Sequence, residues 1–374
     1  MARLVALVIC ALLVAPLAAA APPRTSVLLR LASQRSGLKI RRPVRVASEP
    51  TKRFDAHMQR AVDREYPPSV QRLDDAIYLG LGLLPAEHTI RSTLVSTTAQ
   101  SRAYYDPAAR VLRVRRRPAP KSNELIHQLV RALVDQNFGL RRIAGLRARD
   151  RDAAFAASAV VDGVAAAASR IRALPPQGSP LTRFLAVEQS GGLEFGRRLI
   201  SELRYLGGNA AVATALRKFP RTTEDILHVD KFLEREPALP VLPAVAIADL
   251  RLTASETFGE LDVLALLRAF DVANADVVAD GWGGARVALY SSARGNQAVA
   301  LILRWDTNDD AAEWREAVPH YVAAAFPNVQ ERLCPVVDHC WLAGDRELAT
   351  ITRGNSSVFA SGYEAEVIAA ALGT

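Results

Sequence analysis

The chain has 374 residues, half of them hydrophobic, with sparse aromatics and a formal charge of +8 carried mostly by arginine. That apolar content supports a sizeable core, and its alanine-rich character favours close-packed helices. The basic excess comes with no recognised nucleic-acid motif and no aromatic stacking platform, so nucleic-acid binding is excluded as a reading.

The first 20 residues have the pattern of a secretory signal. Arg3 gives a positive start, Leu4 to Val14 an apolar run, and Pro16 precedes the small residues Leu17 to Ala21. Cleavage is expected near Ala20, because Pro22 disfavours a later cut. An uncleaved membrane anchor is the alternative, since the apolar stretch falls just short of a spanning helix. Cys10 lies within the apolar run, too early for a lipid-modified N-terminal cysteine. The expected location is therefore extracellular or in the cell envelope. The mature length suggests two or three domains, or one large domain with additions.

Residues 21–53 are basic, with Pro43, Pro50 and scattered serines, and read as a partly disordered linker. Helices are expected at Phe54 to Tyr66, Ser69 to Leu84 and Glu87 to Thr98. Ala103 to Asp106 and Arg110 to Arg115 read as a hairpin turning at Asp106-Pro107-Ala108-Ala109. Ser122 is expected to cap a helix that runs to about Phe138 and stops at Gly139. Asp152 to Leu174 reads as an apolar, alanine-rich helix that must be buried among others. Further helices are expected over Phe195 to Tyr205 and Asn209 to Phe219, divided by Gly207-Gly208. Residues 54–250 thus form a mostly helical body.

From residue 251 the pattern changes. A helix is expected over Glu260 to Phe270, and Gly281-Trp282-Gly283-Gly284 reads as a tight turn. Hairpins are expected over Arg286 to Trp305 and Leu348 to Ala360, each followed by a helix, Asp309 to Phe326 and Glu364 to Leu372. This β-β-α-β-β-α order makes residues 251–374 a small α+β module, and the chain as a whole α+β. Cys334 and Cys340 remain after cleavage. In an exported protein a pair this close reads as a disulfide. A Cys334/Cys340/His339 metal site has poor zinc spacing.

The stretch from Asn123 to Gln136 carries the most chemistry. A working H-E-x-x-H helix binds zinc through two histidines one turn apart, and the glutamate is the general base. Here His127 stands at the first position, Gln128 in place of the glutamate and Arg131 in place of the second histidine. An amide does not take a proton from water at neutral pH, and a guanidinium does not bind a cation. Several segments resemble exported bacterial zinc metallopeptidases of gluzincin type. They are Tyr104 to Pro107, the helix with His127, Ala132, Leu133, Asp135, Gln136, Phe138 and Leu140, Val161-Asp162-Gly163, Thr223 to His228, Gly259-Glu260, Gly281 to Gly284 and Trp305-Asp306-Thr307.

The resemblance implies that Asp162 stands at the third metal ligand, normally Glu. It implies that Phe232 replaces a tyrosine and that His228 is a former transition-state stabiliser. The alternative for His228 is a helix-end histidine beside Asp230 and Lys231. Asp135 and Gln136 are either orienters of a metal site or partners of backbone near the helix end. The departures fall on chemistry, so no catalytic residue is intact and no metal or other cofactor is expected. His127 and Asp162 give two ligands at best, where catalysis by zinc needs three. Arg131 is expected to pair with Asp162, and with the Gln128 carbonyl, in place of the ion.

The leading expectation is a non-catalytic pseudo-peptidase, with an unidentified peptide or protein held along the edge of the Ala103 to Arg115 hairpin. One alternative is a hydrolase with zinc on His127, Asp162 and a further ligand such as Asp152 or His228. Another is a structural protein held to anionic envelope material by its basic surface, concentrated at Arg24 to Arg53 and Arg110 to Arg117.

Overall fold

The computed structural model describes residues 25–373 except 66, 86, 99, 148, 149, 174 and 176. The expected signal segment and cut site lie outside the described residues. The fold is α+β, as expected, and is organised around one helix.

Within the N-terminal part the elements are α1 (Thr25–Ser36), β1 (Arg45–Glu49), α2 (Thr51–Glu65), α3 (Pro68–Gly80), α4 (Ile90–Thr98), β2 (Ala103–Asp106), β3 (Val111–Arg115), α5 (Ser122–Phe138), α6 (Arg141–Arg147) and α7 (Arg151–Ser169). The central helix is α7. Asp150 caps it by accepting from the Ala153 backbone N–H, and nearly all its side chains are buried. It is long and apolar enough to cross a membrane, but here it runs through the protein core. Its alanines and Gly163 let neighbours approach closely. A Cβ added at Gly163 would lie 2.3 Å from the Gly196 carbonyl. Gly196 belongs to α8 (Pro180–Arg217), which packs along α7 while α5 packs on another side.

Three expectations change here. Residues 25–53 are not a linker: they form α1, β1 and the start of α2. Leu28, Leu29 and Ala32 make a short buried face on α1 that packs against α5 and α7, leaving much of the basic charge outside. The helix expected from Phe195 begins at Pro180, while the backbone leaves helical geometry at Gly207 and Gly208, which divide it from the following helical stretch as expected. Ser122 is the first residue of α5 and Lys121 its N-cap, while Gly139, at φ 78°, stops the helix as expected.

The hairpin β2–β3 is present, and Asp106 Oδ1 accepts from the N–H groups of Ala108 (3.0 Å) and Ala109 (3.1 Å) in the turn. A third strand joins it: β1 runs parallel to β3, giving the order β1-β3-β2.

The remaining elements are α9 (Glu224–Leu227), α10 (Val229–Glu234), β4 (Ala246–Ile247), β5 (Leu250–Thr257), α11 (Glu260–Ala269), α12 (Ala275–Asp280), β6 (Trp282–Ser292), β7 (Gln297–Trp305), α13 (Asn308–Ala325), β8 (Gln330–Arg332), β9 (His339–Ala343), β10 (Arg346–Arg353), β11 (Ser356–Gly362) and α14 (Ala365–Leu372). The strands form one antiparallel sheet ordered β4-β5-β6-β7-β11-β10-β9-β8. The two expected hairpins, β6–β7 and β10–β11, are its centre. The stretch Trp282 to Gly284 is no turn: it opens β6 with a bulge, and the buried Trp282 donates its Nε1–H to the Phe258 carbonyl at 3.0 Å.

In β7, alternate residues pack on opposite sides. Ala298, Ala300 and Ile302 meet α14, while Val299, Leu301 and Leu303 join the core of the helical body. The expected boundary at residue 250 is therefore no break in the core. Tyr321 Oη also donates to the Leu81 carbonyl at 2.7 Å across it. Cys334 and Cys340 form a disulfide at the β8–β9 edge.

Candidate functional site

His127 and Arg131 are four residues apart on α5 and so share one face. Asp162 faces them from α7. Arg131 Nη1 donates to Asp162 Oδ1, and His127 Nε2 lies 3.5 Å from the same oxygen. His127 and Asp162 are both 0% exposed. Neither ring nitrogen of His127 has a hydrogen-bond partner among the described residues, and neither has Asp162 Oδ2. Burial alone would push the Asp162 carboxyl up, but the Arg131 guanidinium and His127 outweigh it and hold it below the ordinary value. Gly192 of α8 covers the carboxylate, since an added Cβ there would lie 3.2 Å from Asp162 Cβ.

The neighbouring polar residues serve packing. The Gln128 carbonyl, expected to share Arg131, accepts the Tyr105 backbone N–H at 2.9 Å and so ties β2 to α5. Asp135 takes the Tyr105 hydroxyl at 2.8 Å and the Leu140 N–H at 2.9 Å. Gln136 accepts from the Arg41 N–H at 2.9 Å and donates to the Arg42 carbonyl at 3.0 Å. Of the two expectations for this pair, bonding to groups near the helix end describes these contacts, with the chain before β1 added.

His228 and Phe232 are not part of this constellation. Thr223, just before α9, donates its backbone N–H to Asp152 Oδ2 at 2.9 Å. Asp152 and Asp162 are ten residues apart on α7, roughly 15 Å along its axis. Asp152 is therefore no third ligand beside Asp162. His228 stands at a helix end, between α9 and α10, and its ring pairs with Glu260 at 2.9 Å and approaches Asp280 at 3.5 Å. Phe232 is buried in the core.

A further polar cluster was not anticipated. Around the start of α7, Arg151 donates to Glu188 Oε1 at 2.6 Å and to the Tyr78 hydroxyl at 3.0 Å. Asp74, Asp152 and Asp262 are buried in the same region. Burial, with Arg151 only partly offsetting it and Asp262 adding to it, pushes Glu188 well up. Burial followed by Asp262 does the same for Asp152. Glu256 is pushed up to about 9, first by burial and then by Asp74. The one signal in the sequence was a charged pair, Arg151-Asp152, opening an otherwise apolar helix.

Residues 249–367, from just before β5 into α14, match the family model of a domain of unknown function, DUF8575. No curated protein and no solved structure matches the chain.

Proposed function

We propose that this chain is an exported, non-catalytic protein on a metallopeptidase-like plan, in which the Arg131 guanidinium supplies the positive charge that a metal would bring. The observation that carries this reading is the Arg131–Asp162 pair inside a closed α5–α7 contact. A catalytic zinc takes three protein ligands and keeps a position open to water and substrate. Two candidate ligands with 0% exposure, covered by α8, do not offer that.

What remains for function is binding. The order β1-β3-β2 leaves β1 and β2 at the edges. On β2 the Tyr105 N–H is already taken by Gln128, so a peptide adding there would have to displace that side chain. The β1 edge is more open, with Arg45, Val46 and Ser48 exposed and Arg41, Arg42, Arg116 and Arg117 exposed nearby. This favours an acidic peptide or protein segment added as a strand. The same arginines favour a second reading, adhesion to anionic envelope polymer. A Val46→Pro change separates the two: it removes strand addition and leaves salt-sensitive adhesion intact.

The non-catalytic reading is tested by zinc content of the purified mature protein. His127→Ala is expected to leave it unchanged, and Arg131→His with Gln128→Glu to gain one ion over the parent. A zinc ion lost on His127→Ala would overturn the reading and revive the hydrolase.

A further inference from the structure

Four stretches far apart in the chain meet at one acidic patch near the start of α7. His228 joins α9 to α10, Glu260 opens α11, Asp280 closes α12, and Asp306 follows β7. The backbone binds the last two regions together, because Asp306 N–H donates to the Gly281 carbonyl at 2.9 Å. In a chain of formal charge +8, this patch gathers Glu224, Glu236, Glu260, Asp280 and Asp306.

The carboxylates fall into two groups of different kind. Glu224, Glu236 and Asp306 surround the Lys231 ammonium at 2.6, 3.8 and 2.6 Å. That group carries its own cation. The other consists of His228, Glu260 and Asp280, with one ligand atom from each within 4.8 Å of the others. Its Glu260 side chain is only 3% exposed, and Glu260 Oε2 has no hydrogen-bond partner among the described residues. A buried carboxylate oxygen left this way is costly unless a cation meets it.

We propose that His228, Glu260 and Asp280 form a binding site for a divalent transition-metal ion of the zinc class. The donor set is one imidazole nitrogen and two carboxylates, which suits zinc, whereas calcium and magnesium take all-oxygen shells. Tetrahedral zinc with bonds of about 2.0–2.1 Å places its ligand atoms roughly 3.3 Å apart. His228 Nε2 stands 2.9 Å from Glu260 Oε1 and 3.5 Å from Asp280 Oδ1, so small side-chain shifts close the shell. The Asp280 side chain is 70% exposed, which turns the fourth position to solvent for a water or a group from a partner. The three ligands come from three separate elements, so the ion would fasten the α9–α10 junction to α11 and α12. This site stands apart from the α5–α7 pair and does not depend on how that pair is read.

The test is calorimetric titration of Zn²⁺ into chelator-stripped mature protein at neutral pH, for the parent and for Asp280→Asn, Glu260→Gln, His228→Ala and His339→Ala. One zinc per chain is expected in the parent and in His339→Ala. Loss of even an outer-shell partner weakens a metal site roughly 10–100-fold, so each ligand variant should lose at least that much. Asp280 is largely exposed, so its variant keeps the fold and decides the matter if the other two unfold. No uptake by the parent, or unchanged affinity in Asp280→Asn, overturns the proposal and leaves a simple His228–Glu260 ion pair. Zinc retained in all these variants but lost on His127→Ala would place the ion between α5 and α7 and overturn the non-catalytic reading as well.

Discussion

Two aspartates ten residues apart on α7 are equally buried and behave in opposite ways. Asp162 is held ionised because Arg131 of α5 reaches it and His127 lies beside it. Asp152 is pushed towards its protonated form by burial and by Asp262, with hydrogen bonds from Thr223 only partly opposing this. The cation at that end, Arg151, is drawn to Glu188 and Tyr78. Burial is common to both ends, so the partner decides the charge state. One end of α7 is a compensated ion pair. The other is a cluster of acids held with too few cations.

The sharpest way to break this comparison is to remove the compensating cation. Arg131→Met keeps much of the side-chain volume and leaves Asp162 buried without its cation, with only His127 beside it at 3.5 Å. Breaking a buried pair this way costs about 3–5 kcal/mol. Urea unfolding at neutral pH reads the loss. Adding Asp162→Leu to the same chain should restore most of it, because well-packed apolar residues replace buried ion pairs at little cost. A loss below about 1 kcal/mol in the single variant, the range of an exposed pair, would show that Asp162 is not buried as described.

The four-residue spacing put His127 and Arg131 on one helical face, but Asp162 was expected as their partner only through the resemblance, which set Val161-Asp162-Gly163 at the third-ligand position. The partners of Gln128 and Gln136 were not legible. They are the backbone of Tyr105 and of residues 41–42, and only tertiary packing sets them. Residues 25–53 were misread for a related reason. Their charge is evident, but the buried face Leu28, Leu29 and Ala32 is too short to announce a helix. In β7 the run Ala298 to Leu303 showed a strand but not its depth, since both faces are covered by different parts of the chain.

The next test sharpens the comparison with pH. Glu256 titrates near 9 in the folded protein and near 4.3 in an unfolded chain. Between those values the folded state holds a proton that the unfolded state has released. Stability is therefore full below the unfolded value and falls as pH rises through about 9, and Asp152 and Glu188 act in the same direction. One such proton changes stability by about 1.4 kcal/mol per pH unit. Asp162 has the opposite sign: its contribution is present above the ordinary carboxylate value and is lost only in acid, as pH falls through its lowered folded value. The urea midpoint should thus drop from pH 6 to pH 9. Asp152→Asn should flatten that alkaline slope, and Asp162→Asn should leave it unchanged. An equal slope in all three proteins would mean that Asp152 is already ionised at neutral pH and that the slope comes from the other acids of that end.

The smallest expected effect comes from the disulfide, which makes it the control. Cys334–Cys340 closes a loop of six-residue separation at the β8–β9 edge of the large sheet. The chain-entropy model assigns a loop this short about 2 kcal/mol. Reduction, or a Cys334→Ser, Cys340→Ser pair, should lower the urea midpoint by a similar amount at pH 6 and pH 9. The two effects should then add, because edge and helix share no partner. If reduction also flattened the alkaline slope, part of that slope would arise at the sheet edge, and the contrast between the ends of α7 would have to be redrawn with that share removed.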